Sequence, residues 1–294
     1  MMQSPSLVLT LVELAHATSQ NLGFSQEKNV HVSYGEETIT ETNLLELRRR
    51  HPDLIKLETF SKKDEAINGA DWEWHIIGSH YVFRMRVQAK RLQKDNKLKI
   101  KHKVKSTGKE QIDLLIADAK KYNLKPVYCL YSSEKQRDYW KKKSFEDGET
   151  MEVGCLLASA RDVKKIMPTK LSAIEKKCIP WHYLAKRRVY IPLKLPGTMV
   201  WDGGTVFYAG EWWGFEPTET KAQPKGVANF PTFEDLNSKK RIEGEGLSQI
   251  SPQEYEQFLL SYSSQDKSES DTYLERGIIG KVTIDVSRGG GAQR

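Results

Sequence analysis

Two runs rich in β-forming residues constrain the fold of this chain most strongly. Residues 71–77 and 81–90 are dominated by Trp, Ile, Val, Tyr and Phe, and only residues 78–80 separate them. Runs of this composition favour strands, and so short a connection favours an antiparallel hairpin. The sequence therefore predicts two neighbouring strands, the first of which starts at Asp71.

Further elements surround this hairpin in a defined order. Apolar residues recur at helical spacing over 36–51 and over about 109–123, and the apolar runs 54–60 and 127–131 have the composition of strands. From residue 36 to 131 the predicted order is helix, strand, strand, strand, helix, strand. We therefore expect an α/β (α+β) fold.

Polar side chains gather at one end of the predicted hairpin. Side chains alternate along a strand, so Gln88 and Lys90 share a face, as do Asp71 and Glu73. If these faces meet, the Asp71 carboxylate, the Gln88 amide oxygen and the Ala89 carbonyl oxygen offer hard ligands for Mg²⁺, with Mn²⁺ as an alternative. Such a cation would polarise a bound phosphate, while Lys90 would orient water or stabilise developing negative charge.

A structural role competes with this interpretation. Asp71 and Lys90 could form an exposed cross-strand ion pair, which would contribute under about 1 kcal/mol. An acid followed by Gln-x-Lys also occurs in many unrelated chains. The neighbouring residues Trp72, Val87 and Ala89 nevertheless favour a packed sheet over a solvated ribbon.

Two residues outside the hairpin are further candidates. Glu41 lies on the helix predicted over 36–51, which can pack near the hairpin, and Glu37, one turn earlier, competes with it. Gln111 lies at the start of the next helix, where its side chain can touch water or phosphate.

Taken together, these residues resemble the PD-(D/E)XK nuclease superfamily. The similarity is greatest to the restriction-endonuclease-like branch, in which Gln replaces the acid of the second motif. It covers roughly residues 33–160 and rests on Glu41, Asp71, Gln88 and Lys90 with the elements that carry them.

This resemblance implies a fold and an activity. The fold is a restriction-endonuclease-like core, in which helices flank a mixed central sheet in the order αβββαβ. The activity is Mg²⁺-dependent endonucleolytic hydrolysis of DNA, in bacterial antiphage defence or restriction. The resemblance also implies that Asp71, Gln88, Lys90 and Glu41 are the catalytic residues. One departure is Ala70, which stands where many members have proline.

A dense basic segment connects the hairpin to the next helix. Eleven Lys or Arg residues and one acid lie between Arg84 and Lys109. Lysines alternate with apolar residues or His over 97–105, which predicts a strand with lysines on one face. Such a lysine row would contact DNA phosphates, and equally it would protect an edge strand from aggregation. The predicted nucleic-acid-binding residues are Lys97, Lys99, Lys101, Lys103 and Gln111.

Charge and cysteine usage narrow the class of protein. The chain of 294 residues carries a net charge of +7, which favours a polyanionic partner. Cys129, Cys155 and Cys178 are widely spaced, so a disulfide framework is excluded. Cys129 and Cys155 each lie in an apolar run, so we expect these two thiols to be buried. No apolar run reaches the ~18 residues of a membrane span. We expect a cytoplasmic protein with no membrane partner.

The remaining sequence carries fewer signals. We predict a nuclease-like domain over 1–168 and a region of unknown role over 169–294, rich in strands and aromatic residues, with a disordered tail from about 286. The aromatic residues at 180–216 favour core packing over base stacking. The second region could recognise a target, sense a ligand or form a homodimer.

Two other functions fit the same residues. One is a catalytically weak or inactive nucleic-acid-binding module on a nuclease fold, because Gln88 removes a negative charge from the metal site. The other is an RNA-directed nuclease, since no pattern in the sequence distinguishes RNA from DNA through the 2′-hydroxyl group.

Overall fold

Helices cover both faces of a mixed β-sheet in this structure, which is a computed structural model. The structure describes residues 7–59, 71–94, 97–104, 107–133, 154–185, 199–202, 205–208, 230–231, 233–261 and 280–287. The helices of these residues are α1 (Leu7–Ser25), α2 (Glu36–Arg50), α3 (Gln111–Lys121), α4 (Ala160–Ile166), α5 (Phe233–Asn237) and α6 (Pro252–Ser261). The strands are β1 (Ile55–Thr59), β2 (Trp72–Ile77), β3 (Tyr81–Arg91), β4 (Lys125–Tyr131), β5 (Cys155–Ser159), β6 (Cys178–Pro180), β7 (Met199–Asp202), β8 (Thr205–Tyr208), β9 (Leu247–Gln249) and β10 (Gly280–Asp285).

The main sheet has the strand order β1-β10-β2-β3-β4-β5-β6, with β9 added beside β3. Strands β2 and β3 form the predicted antiparallel hairpin, whereas β3 and β4 run parallel and β4 and β5 antiparallel. The predicted order of elements from α2 to β4 is confirmed. The α/β class and the mixed sheet flanked by helices are likewise confirmed.

The strand β10 was not predicted from the sequence, and it lies between β1 and β2. It pairs antiparallel with β1 and parallel with β2. Gly280 permits this close packing, because a Cβ atom there would come within 2.6 Å of the Glu58 carbonyl oxygen. Strands from beyond residue 168 thus extend the sheet, while the domain boundary itself stays a prediction. Of the predicted tail, residues 288–294 lie outside the described residues.

Apolar side chains form one core on each face of the sheet. Helices α1 and α2 contribute Leu11 and Ile39 to one core, and α3 contributes Leu115 to the other. Trp181, from the aromatic-rich region, packs 6.2 Å from the Trp74 ring. Its indole nitrogen donates a hydrogen bond to the Leu11 carbonyl oxygen at 2.7 Å. For Trp181 the predicted core role is confirmed.

The basic segment is extended but is not the strand that its alternation predicts. It makes isolated bridges at Lys97 and Lys103, and its other backbone contacts go to loops and to the start of α3. Its backbone N–H and carbonyl groups bond to Thr169, Lys109 and Gln111 instead of forming a ladder with a neighbouring strand. The alternation itself is present, since the lysines of 97–103 are exposed while Leu98 and Ile100 are buried. Lys105 lies outside the described residues.

Two further observations bear on the predicted class of protein. All three cysteines are free and buried, which confirms the burial predicted for Cys129 and Cys155. None of the helices in the described part of the chain combines the length and the apolar character needed to cross a membrane.

Candidate active site

A cleft of about 180 Å³ opens where the start of β2 and the end of β3 meet the first turns of α2 and α3. It includes all of the residues predicted to be catalytic or metal-ligating. The lining residues are Glu36, Glu37, Thr40, Glu41, Asp71, Trp72, Gln88, Ala89, Lys90 and Gln111.

The register of the hairpin explains why Asp71 and Gln88 meet. Trp72 pairs with Val87, so the preceding Asp71 lies opposite Gln88. The Asp71 backbone N–H donates to the Val87 carbonyl oxygen at 3.0 Å, which fixes the residue just before β2 begins. Both side chains then project from the same face of the sheet, toward α3.

The Asp71 carboxylate is held by two donors from β3. Its Oδ2 atom accepts hydrogen bonds from Gln88 Nε2 and from the Ala89 backbone N–H, each at 2.8 Å. Gln88 Nε2 also donates to the Ala89 carbonyl oxygen at 3.1 Å. The three predicted metal ligands are therefore in direct contact with one another.

Gln111 continues this hydrogen-bonded chain from the first turn of α3. Its Nε2 atom donates to Gln88 Oε1 at 2.9 Å. Its own Oε1 atom is buried without a hydrogen-bond partner among the residues that the structure describes. Gln88 is itself only 3% exposed, so its amide orientation is set by these protein contacts.

The first turns of α2 bring three carboxylates to the cleft. Glu36 Oε1 accepts a hydrogen bond from the Arg91 backbone N–H at 3.1 Å. Glu37 and Glu41 are exposed, and neither forms a salt bridge with any described residue. Both competing helix acids thus line the cleft, whereas Glu46 forms salt bridges with arginines elsewhere on α2.

Lys90 is the cation of the cleft, at the end of β3. It forms no salt bridge with any residue within the described ranges, so the alternative of a surface Asp71–Lys90 ion pair is not found. Its ammonium group therefore has no carboxylate partner among the described residues, although Glu36, Glu37, Glu41 and Asp71 line the same cleft.

Two residues near the cleft were not predicted from the sequence. Thr40 Oγ1 lies 2.6 Å from the Tyr131 hydroxyl group and donates to the Glu36 carbonyl oxygen at 2.8 Å, which fastens α2 to β4. Tyr128 pairs with Gln88 in the sheet and is fully buried. Burial, reinforced by the Asp71 carboxylate, raises the pKa of Tyr128, so its phenol stays protonated. The position of Tyr128 beside Gln88 becomes visible only once β4 is known to pair with β3.

Glu73 does not join the cleft, so the prediction that it converges with Asp71 is wrong. Arg86 lies opposite Glu73 in the hairpin and approaches its carboxylate to 3.1 Å. His75 contacts the other carboxylate oxygen at 2.7 Å, and Asp118 of α3 lies 2.6 Å from Arg86. The buried arginine draws Glu73 away from the cleft.

The donor atoms of the cleft limit how it could hold a metal ion. Among the described residues, no group of three or more His, Cys, Asp or Glu side chains is suitably placed for a metal. A cation here would depend on the Asp71 carboxylate together with the amide oxygen of Gln88 and the carbonyl oxygen of Ala89. These are hard oxygen donors, which fit Mg²⁺ or Mn²⁺.

A family model described as "Family of unknown function (DUF6615)" matches residues 7–261. The chain belongs to this family. No curated protein matches the sequence. The DUF6615 match includes every residue of the cleft and ends with α6, so β10 lies beyond it. Function must therefore be inferred from the cleft.

Proposed function

We propose that the protein is a Mg²⁺-dependent endonuclease that hydrolyses DNA phosphodiester bonds. One observation carries this proposal: a single cleft contains Asp71 in contact with Gln88 and Ala89, exposed helix carboxylates, and a Lys90 ammonium group that forms no salt bridge within the described part of the chain. Hard oxygen ligands beside a lysine suit a metal and a phosphodiester.

The order and directions of the elements support a restriction-endonuclease-like core. Helix α2, strands β1, β2 and β3, helix α3 and strand β4 follow in the order αβββαβ, and the antiparallel β2–β3 hairpin adjoins a parallel β4. The departure is β10, which separates β1 from β2.

Residues of this chain divide the chemical work in the proposed site. Asp71, Gln88 and the Ala89 carbonyl group would hold the cation, with Glu41 or Glu37 as the helix acid. The bound cation would supply electrophilic polarisation of the phosphate. Lys90 would hold the attacking water in line or stabilise the negative charge that develops on the phosphate oxygens.

The surroundings of the cleft suit a polyanion. The backbone N–H of Gln111 donates to the His102 carbonyl oxygen at 2.8 Å, which joins the basic segment directly to the start of α3. Lys101 and Lys103 flank His102 and are exposed, so they lie close to the start of α3. Phosphate contacts of this kind give affinity without sequence preference.

A plasmid-cleavage assay tests the proposal. The full chain is incubated with supercoiled DNA and either Mg²⁺, Mn²⁺ or a chelator, and cleavage is expected only with a divalent cation. Asp71→Asn keeps the hydrogen-bond acceptor but removes the charge, and Lys90→Ala removes the ammonium group. We expect each to lower the cleavage rate by about 100-fold or more.

The control for this assay is Lys120→Ala, since Lys120 is exposed near the end of α3 and does not line the cleft. It should cleave at the wild-type rate. Wild-type cleavage rates in both Asp71→Asn and Lys90→Ala would reject the site. Single-stranded RNA and DNA in the same assay decide between a deoxyribonuclease and an RNA-directed nuclease.

A nucleic-acid-binding module with weak or no turnover is the second candidate. The observation that favours it is the Gln88 Nε2 atom, which already bonds two of the three predicted metal ligands. This function predicts salt-sensitive DNA retention, with no cleavage under any divalent cation.

A further inference from the structure

The Gln88 amide group stands between the atoms that would hold a cation. Its Nε2 atom donates to Asp71 Oδ2 at 2.8 Å and to the Ala89 carbonyl oxygen at 3.1 Å. An NH₂ group offers two protons, and here both go to predicted metal ligands. The amide nitrogen thus supplies the positive partial charge that the Asp71 and Ala89 oxygen atoms face.

The opposite amide orientation is unfavourable without a cation. If Gln88 Oε1 faced Asp71 and Ala89, three acceptor oxygens would meet without the two Gln88 protons that now lie between them. Its Nε2 atom would also face the donating Nε2 atom of Gln111, which lies 2.9 Å from the Gln88 amide. An unpaired buried polar group costs roughly 1–3 kcal/mol, so the orientation in the structure is selected by its neighbours.

A bound cation reverses each of these preferences. The Gln88 oxygen then favours the cation, whereas its N–H groups are repelled by it. When Gln88 turns, its Nε2 atom points toward Gln111, whose buried Oε1 atom has no partner among the described residues. If the Gln111 amide turns as well, that oxygen accepts the hydrogen bond. The two amides therefore have two complementary arrangements.

We propose that the Gln88 amide blocks the cation site in the metal-free protein, and that cation binding is coupled to reversal of the Gln88 and Gln111 amides. Gln111 is then a positioning residue, which sets the orientation of a metal ligand. This inference rests on the proposed metal-dependent function. It adds that cation affinity is reduced by the stability of the blocked arrangement.

NMR of the full chain tests this inference without any activity measurement. The protein is isotopically labelled at glutamine and alanine nitrogens and titrated with Mg²⁺. The Gln88 and Gln111 side-chain signals are assigned from their loss in Gln88→Met and Gln111→Glu. We expect both side-chain amides to shift together, and with the Ala89 backbone amide, along one binding curve.

Gln111→Glu provides a second test, because a carboxylate can accept a hydrogen bond from Gln88 but cannot donate one. The Gln88 amide should then take its reversed orientation before Mg²⁺ is added, and Mg²⁺ should bind about tenfold more tightly. Thr38→Glu is the charge control, since Thr38 is exposed on α2 and does not line the cleft. It should change the affinity far less.

The outcomes separate this inference from the proposed function. If Mg²⁺ shifts Ala89 but neither side-chain amide, the cation binds without reversal, and the inference is wrong while the proposed function stands. Equal tightening by Thr38→Glu and Gln111→Glu would also overturn it, since charge alone would then explain the effect. If no signal moves at any Mg²⁺ concentration, both the inference and the proposed function fail.

Discussion

Asp71 with Gln88 and Glu73 with Arg86 are successive cross-strand pairs on the same face of β2 and β3. The first pair opens into a cleft, whereas the second is sealed beneath α3. Arg86 is fully buried and Glu73 is 1% exposed. The two pairs use the same strands and similar polar side chains, so the elements above them cause the difference.

Helix α3 contacts each pair with a different side chain. At its start it supplies the neutral amide of Gln111, and two turns later it supplies the carboxylate of Asp118. In the sealed cluster (Glu73, His75, Arg86 and Asp118) every charge has a partner. Even so, burial, together with the nearby Glu73 carboxylate, raises the pKa of Asp118, although the Arg86 guanidinium opposes the shift. The sealed cluster pairs its charges internally, whereas Lys90 of the cleft forms no salt bridge with any described residue.

The largest effect that can test this contrast is on the free energy of unfolding. Arg86→Met leaves the Glu73 and Asp118 carboxylates buried without their cation and also removes the guanidinium 5.7 Å from the Tyr122 ring. We expect a loss of about 3–5 kcal/mol, measured by urea unfolding. Asp71→Asn, in the cleft, should change stability by less than about 1 kcal/mol.

Lys164→Met is the matched control, because Lys164 forms an exposed ion pair with Asp113 at 2.8 Å. Removing it should cost less than about 1 kcal/mol. If Arg86→Met cost no more than Lys164→Met, the sealed cluster would not be a buried charge network, and its contrast with the cleft would disappear.

The second effect concerns the salt dependence of DNA binding. We expect this dependence to come from the basic segment beside the cleft and not from the sealed cluster. Replacing four lysines of the basic segment with glutamine should make the plot of log affinity against log salt less steep. The magnitude of its negative slope should fall by about 3 to 4, since each phosphate contact contributes about 0.9. Filter binding or fluorescence anisotropy at several salt concentrations measures it. The replaced residues are Lys97, Lys99, Lys101 and Lys103.

The control removes the same amount of charge from other exposed positions. Its replaced residues are Lys120, Lys165, Lys239 and Lys240. It should leave the slope nearly unchanged, because none of these lysines lies on the basic segment. Equal changes in the two variants would mean that net charge alone drives binding, and that the cleft side has no special role.

Local patterns in the sequence were sufficient to predict the part of the cleft that the hairpin forms. The hairpin follows from two strand-like runs and a short link, and its register places Asp71 beside Gln88. Alternation also predicted which lysines of 97–103 face solvent. Interactions between residues close in sequence fix such features, so one sequence is enough to read them.

The features that failed depend on partners far along the chain. Nothing near Gly280 indicates that β10 enters the sheet between β1 and β2, because that position is set by strands more than a hundred residues earlier. Likewise Glu73 was expected to converge with Asp71, because its partners Arg86 and, on α3, Asp118 could not be read from the strand that carries it. The orientation of the Gln88 amide depends on Gln111 in the same way.

The smallest expected effect is on the pH dependence of the free energy of unfolding. It tests whether His75, in the sealed cluster, stays unprotonated in the native protein. Burial lowers the pKa of His75, although its hydrogen bond to Glu73 opposes the shift. Below the unfolded-state pKa of about 6.5, the unfolded chain binds a proton that the native protein refuses, so stability falls as the pH drops. One such histidine contributes at most about 1.4 kcal/mol per pH unit. His75→Gln should make this fall less steep, as measured by urea unfolding at several pH values.

Other histidines set the limits of this experiment. Burial also lowers the pKa of His182, to about 3, so part of the acid sensitivity should remain in His75→Gln. The exposed His31, changed to Gln, should leave the pH dependence as it is. If His75→Gln did the same, native His75 would accept a proton beside Glu73. The cluster would then take up a proton in the native state. It would not be sealed, and its contrast with the cleft would be weaker than the packing under α3 indicates.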